Sequence, residues 1–359
     1  MQTASPCIRQ LASVIGKLVA AFPAVQFGPL YYRSLEKDKI LALKNNAGHF
    51  DRKTKLSQAA KIELQWWIFN IHSASKPLNQ PPPTLELRSD ASGKGWGATD
   101  MTTLTGGRWN VSELKFAAEN KINYLELLAA GMGLKCFCKN MRNLHVLLRI
   151  DNTTAVAYLN NMGGIKSQDC NLAAKQIWEW CKERNIWLTA AHLPGKHNTE
   201  ADIMSRTFTD RTEWMLNRRV FEEITLQFGE PEIDLFASRL NKQLARYVSW
   251  LPDPEAEAID AFSLNWRNLK FYAFPPFCLI SKCLHKIRND EAEGLMIVPD
   301  WPSQPWYALL QQMTVGTPMF IRKSGNLLTQ PVSHSKHPLH SQLNLLCCRL
   351  STNHCRKEA

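Results

Sequence analysis

Four carboxylates stand where this chain of 359 residues could do chemistry. Asp90 closes the run "LELRSD" (85–90), and Glu126 sits inside "YLELLAA" (124–130) among Leu125, Leu127 and Leu128. Asp151 follows the apolar "VLLRI" (146–150), and Asp202 falls in "NTEADIMSR" (198–206). Burying a charge is costly unless it is paired or meets a cation. Four carboxylates gathered at one sheet edge would repel one another strongly without such a cation. Mg²⁺ or Mn²⁺, hard ions that prefer carboxylate and phosphate oxygens, would relieve that repulsion. Two such ions about 3.5–4 Å apart can activate a water and stabilise the leaving oxygen of an in-line displacement at phosphorus. Each acid alone has an ordinary reading. Asp90 could end a strand, Glu126 could face solvent, and Asp151 and Asp202 could favour helix N-termini. Only their order on successive elements argues for a shared site.

The elements that would carry them lie between about 85 and 206. "TLELRSD", "GWGATD" and "TGGRWN" read as three strands joined by short polar turns. "INYLELLAAGMGLKCFC" has helical apolar spacing, "LHVLLRID" is a buried strand, and "NTTAVAYLNN" and "DCNLAAKQIWEWCKERN" are helices. "IWLTAAHL" is the last strand, with a short helix after it. The order βββαβααβα predicts a mixed five-stranded α/β sheet flanked by helices. The glycines of "GKGWGA" (93–98) alternate with Trp96 and Ala98 at period two, so they continue a strand. A dinucleotide loop would need G-x-G-x-x-G and a helix there.

Four further parts surround this one. Residues 1–79 read as a helical segment, with Leu11, Val14, Ile15 and Leu18 on one helix face and Ser57 as N-cap of "QAAKIELQWWIFNI". "NQPPPT" makes 80–84 a Pro-rich linker. Residues 207–315 read as an α/β domain with a helix over "RTEWMLNRRVFEEITLQF" (211–228) and strands at "IDLFA", "KFYAF" and "GLMIVPD". The Ser- and His-rich 316–359 reads as a poorly ordered tail. The formal net charge of +11 suits an acidic polymer such as nucleic acid, although charge alone would also fit any cationic protein. Ten cysteines show no zinc-ligand spacing, which predicts reduced thiols and an intracellular setting in cytoplasm or nucleus. The apolar run 11–22 is interrupted by Lys17 and stopped by Pro23, so neither a signal peptide nor a membrane partner is expected. Trp66, Trp67, Trp178 and Trp180 fall on helices and read as core or interface.

The segment "HLPGKHNTEADIMSR" (192–206) resembles the retroelement pattern H-x-P-G-x-x-N-x-x-A-D-x-L-S-R, with Met204 for Leu. With Asp90, Glu126 and Asp151 in order before it, the stretch 85–206 is similar to the type 1 ribonuclease H domain of retroelement reverse transcriptases. That resemblance implies a ribonuclease-H-like fold and hydrolysis of the RNA strand of an RNA–DNA hybrid. It implies two Mg²⁺ or Mn²⁺ ions on Asp90, Glu126, Asp151 and Asp202. It also makes His192 the mobile histidine near the scissile phosphate, Asn152 and Lys196 substrate contacts, and Asn198 the brace of the loop, counted with them as substrate-binding.

The wider chain resembles DIRS-like retroelements. Residues 1–79 are similar to the region that follows a polymerase palm. The palm's own acidic motif is absent, which makes a reverse transcriptase polymerase domain an expected partner. "DLFASRLN" (234–241), "AFPPF" (273–277) and "IVPDWPSQPW" (297–306) resemble a Dam-like adenine methyltransferase segment. There Phe274 stands where an active enzyme has Asn or Asp before Pro-Pro. Phenylalanine accepts no hydrogen bond, so methyl transfer is not expected. Two rival readings stay open: a retroelement remnant that binds nucleic acid without cutting it, and a relative that cleaves or transfers DNA strands.

Overall fold

The computed structural model describes residues 5–208 and 213–352. Three helices come first: α1 (Ile8–Ala20), α2 (Arg33–Asn45) and α3 (Gln58–Asn70). Helix α1 buries Ile8, Leu11, Ile15 and Leu18, a single face at helical spacing. Val14, expected on that face, is exposed. Ser57 caps α3, its hydroxyl accepting the Ala60 N–H at 3.2 Å. These helices share a core with the neighbouring sheet: Leu18, Leu35 and Trp67 cluster with Leu87, Leu148 and Trp178. The Pro-rich connection is also tied down, because the His145 ring meets the Pro81 carbonyl at 2.5 Å.

Next come β1 (Leu85–Ala91), β2 (Gly95–Thr99), β3 (Leu104–Arg108), α4 (Val111–Ala118), α5 (Ile122–Cys138), β4 (Leu144–Ile150), α6 (Thr153–Asn160), α7 (Gln168–Lys182), β5 (Ile186–His192) and α8 (Thr199–Arg206). The strands form one sheet of order β3-β2-β1-β4-β5, with β1, β2 and β3 antiparallel and β1, β4 and β5 parallel. This is the mixed five-stranded α/β sheet flanked by helices that the sequence predicts. The order βββαβααβα omits one element, α4. It starts with a capping box between Asn110 and Glu113 but buries no residue fully, so its apolar periodicity is weak.

The remainder holds β6 (Met215–Leu216), α9 (Arg218–Phe228), β7 (Ile233–Asp234), β8 (Val248–Ser249), β9 (Ala258–Ile259), β10 (Phe271–Ala273), α10 (Ile280–Asp290), β11 (Glu293–Pro299), α11 (Tyr307–Met313), β12 (Met319–Ile321), β13 (Leu328–Thr329) and β14 (Leu345–Ser351). The helix expected over 211–228 begins only at Arg218, because Asn217 caps it through the Arg219 N–H. Residues 211 and 212 lie outside the described residues. A second five-stranded sheet has the order β12-β14-β11-β10-β7.

The expectation of a poorly ordered tail from 316 is corrected by β14. It lies inside that sheet and buries Leu345, Cys347, Cys348 and Leu350. The polar composition around 333–341 masked an apolar strand downstream, and the domain expected to end at 315 continues to it. Residues 353–359, with His354 and Cys355, lie outside the described residues.

The halves meet along β3 and α4. Arg239 binds Glu113 at 2.8 Å and the Arg108 carbonyl at 2.7 Å. A cavity of about 570 Å³ opens at the seam, walled in part by Trp96, Phe236, Phe274 and Phe277. The nine cysteines among the described residues are free thiols. Among the described residues no helix is long and apolar enough to cross a membrane.

Candidate active site

Parallel pairing of β1 with β4 sets Ser89 opposite Ile150. Asp90 and Asp151, each one residue further on, therefore leave the same edge of the sheet side by side. Helix α5 packs across β1 and β2 and brings Glu126 to the same edge. One ligand oxygen from each of Asp90, Glu126 and Asp151 lies within 4.8 Å of the others. Three of the four acids singled out in the sequence thus meet in one cluster.

The cluster is electrostatically costly. Asp90 and Glu126 are each 3% exposed. Burial, then repulsion by Asp90 and Asp151, pushes the Glu126 carboxyl up to about 9, against the opposing Ala91 backbone N–H. Asp90 is pushed up to about 6, chiefly by burial, with Asp151 and Asp202 adding repulsion. Asp151 is also raised, by burial first and Asp202 second. The Glu126 Oε2 is buried and has no hydrogen-bond partner. Clustered, repelling carboxylates with a buried lone oxygen are a donor set that fits a hard divalent cation, so the residues present suit Mg²⁺ or Mn²⁺.

Asp202 stands differently from the other three. It lies close enough for its charge to act on both Asp90 and Asp151. However, it falls outside the three-carboxylate set, and its Oδ1 accepts from the Arg206 Nε at 2.7 Å. The expected four-acid cage is therefore three acids plus a fourth engaged by an arginine on its own helix.

Helix α8 also supplies Ser205, which the sequence did not single out. Its hydroxyl is wholly buried and reaches the Asp90 Oδ2 at 2.7 Å and the Asp202 carbonyl at 2.9 Å. The available signal was spacing: Asp202, Ser205 and Arg206 stand at i, i+3 and i+4, one helix face. Glycines let that helix sit on the sheet. A Cβ at Gly97 would lie 2.1 Å from the Ala201 carbonyl oxygen, and one at Gly106 would lie 2.8 Å from that of Met204. Gly97 and Gly106 are thus a landing for α8.

The other expected residues divide into two groups. His192 ends β5 opposite Ile150, exposed and beside Asp151, whose carboxyl its charge lowers. Lys196 is exposed on the short 3₁₀ turn Gly195–His197. Asn198, 1% exposed, donates to the Ser89 carbonyl at 2.9 Å. That contact is a brace from loop to β1, and burial removes Asn198 from the substrate contacts. Asn152 caps α6, accepting from the Ala155 N–H and donating to the Asn123 Oδ1, both at 2.8 Å. Those two bonds use one N–H and one lone pair of the half-buried amide, and its contact with substrate stays a proposal.

Among solved structures, the chain is similar to LC11-RNase H1 in complex with RNA/DNA hybrid, at 18% identity, 34% of this chain, 93% of that chain and a TM-score of 0.27. RNase H1 from the archaeon Halobacterium salinarum aligns at 16% identity over 33% of this chain and 92% of its own, with a TM-score of 0.24. The foamy viral protease-reverse transcriptase in complex with RNA/DNA hybrid aligns at 13% identity over 60% of this chain and 30% of its own, with a TM-score of 0.21. At such scores the likenesses by themselves assign neither fold nor activity. No protein-family model and no curated protein matches the chain.

Proposed function

We propose that residues 85–206 form a ribonuclease-H-like domain that hydrolyses the RNA strand of an RNA–DNA hybrid. The observation that carries this reading is the meeting of Asp90, Glu126 and Asp151 at one sheet edge. The motif "HLPGKHNTEADIMSR" supports it, with His192 and Asp202 beside that cluster. Asp90, Glu126 and Asp151 would hold divalent cations, with Asp202 joining them. When bound, the ions supply an activated water and a counter-charge for the leaving oxygen, giving 5′-phosphate and 3′-hydroxyl ends. Ser205 fixes the direction of the Asp90 carboxylate. His192, exposed at the end of β5, moves a proton at the scissile phosphate or on product release. Lys196 on the adjoining turn meets a phosphate of the substrate. Selectivity for hybrid comes from 2′-hydroxyls on one strand and the backbone of the other.

A retroelement origin for the chain rests on the same motif, and residues 207–315, with their motifs at 234–306, are proposed as its degenerate Dam-like segment. Phe274 gives that segment no acceptor for an amino group, so methyl transfer is not part of the proposal. A second reading, a remnant that binds nucleic acid without cutting it, is favoured by the engagement of Asp202 with Arg206.

The purified chain, given labelled RNA–DNA hybrid, duplex DNA and duplex RNA with Mg²⁺ or EDTA, separates the two. Metal-dependent cleavage of hybrid that disappears in Asp90→Asn supports the enzyme. Hybrid binding without cleavage supports the remnant, and cleavage of duplex DNA would redirect the reading to a strand-transfer relative.

A further inference from the structure

The charge that faces the acidic cluster in this structure belongs to the protein itself. Arg206 is the last residue of α8, and its Nε lies 2.7 Å from the Asp202 Oδ1. Its guanidinium also acts on Asp90 and Asp151, opposing the repulsion that both feel. Arg206 is 61% exposed and Asp202 42% exposed, so the pair is loose enough to part, as solvent-exposed ion pairs do at little cost. The close seating of α8 on Gly97 and Gly106 leaves the helix little room to shift, so release falls to the long, flexible arginine side chain.

We infer that Arg206 is a resident counter-charge that occupies Asp202 when no divalent ion is bound, and that it must swing aside before Asp202 can join the cation site. This rests on the cation-site reading above. It adds a regulatory consequence: Arg206 sets the concentration of divalent ion at which the site loads. A guanidinium neutralises part of the cluster and repels an incoming dication, so it stabilises the ion-free protein and weakens ion binding together. Arg206 is thus a positioning residue acting through Asp202.

The test is calorimetric titration of Mn²⁺ into the full chain, in parallel with thermal melts in EDTA and in Mg²⁺. The variants are Arg206→Gln, Arg206→Lys and Asp90→Asn. Position 206 is exposed, so folding should survive, and the melts in EDTA check it. Removing one unit charge from beside a divalent ion in a water-like dielectric should tighten Mn²⁺ binding about tenfold. Arg206→Gln should therefore bind Mn²⁺ more tightly, melt lower in EDTA and gain more from Mg²⁺. Arg206→Lys, which keeps the charge, should stay near the unsubstituted protein. Unchanged or weaker binding in Arg206→Gln, while Asp90→Asn abolishes binding, would overturn the counter-charge alone. Full binding in Asp90→Asn would overturn the cation site, and this inference with it.

Discussion

Glu126 and Asp90 make the site's behaviour depend on pH in a defined direction. Glu126 moves from an ordinary 4.5 to about 9, and Asp90 from 3.8 to about 6. Between those values the folded chain holds protons that the unfolded chain has released. The ion-free protein therefore loses stability as pH rises, starting near pH 4 and continuing to about 9. A divalent cation needs the ionised carboxylates, so its stabilising effect should grow across the same window. Melting curves at pH 5, 7 and 9, in EDTA and in Mg²⁺, should diverge as pH increases. Parallel curves would show that no ion meets these carboxyls. Ser205 refines the prediction. Its hydroxyl favours the charged form of Asp90, so Ser205→Ala should shift the pH profile of cleavage upward. It should also cost about 1–2 kcal/mol in denaturant titrations. A stability loss with an unmoved profile would reduce Ser205 to a packing residue.

At the level of elements, α8 is the part whose placement depends most on the strands beneath it. The helix has only eight residues and would not hold on its own. It is fixed by contact with β2 and β3, where Gly97 and Gly106 admit its backbone. Gly97→Ala would drive a methyl group into the Ala201 carbonyl and lift α8. The expected cost is about 1–3 kcal/mol, the usual range for overpacking. Hybrid cleavage should fall further than stability does, because Asp202 and Ser205 move together. Near-normal cleavage in Gly97→Ala would mean that α8 need not sit where it does.

Across the whole molecule, the seam at Arg239 joins two sheets that each have their own core. Glu113 caps α4 from one half while binding Arg239 of the other, and both side chains are largely buried. Arg239→Ala would leave Glu113 with a partly desolvated charge. The expected loss is roughly 2–3 kcal/mol, below the fully buried value because some solvent contact remains. Chemical denaturation should then resolve two transitions, one per half, if the seam couples them. A single unshifted transition would show that Arg239 contributes nothing to the joint.

Apart from α4, whose apolar periodicity is weak, the strands and helices of 85–206 were legible because each carries its own signal. Apolar alternation marks β1 and β4, helical spacing marks α5 and α7, and Ser57 marks the start of α3. The approach of Asp90 to Asp151 was an expectation from the order of the acids and the family resemblance, and the parallel pairing of β1 with β4 supplies its physical reason. The effect of one neighbour on another could not be read locally. Asp202 looks like its fellow acids along the chain; its i, i+4 spacing allows a pair with Arg206, and the fold shows that pair made at the edge of the cluster. Ser205 looks like a helix residue until Asp90 arrives from 115 positions away. Strand β14 was masked by polar flanks, because its place between β12 and β11 is settled by long-range pairing. Sequence determined which groups could do chemistry and on which element each rides. Tertiary structure decided which of them touch, because charge, burial and hydrogen bonding act through space over a few ångströms and are blind to distance along the chain.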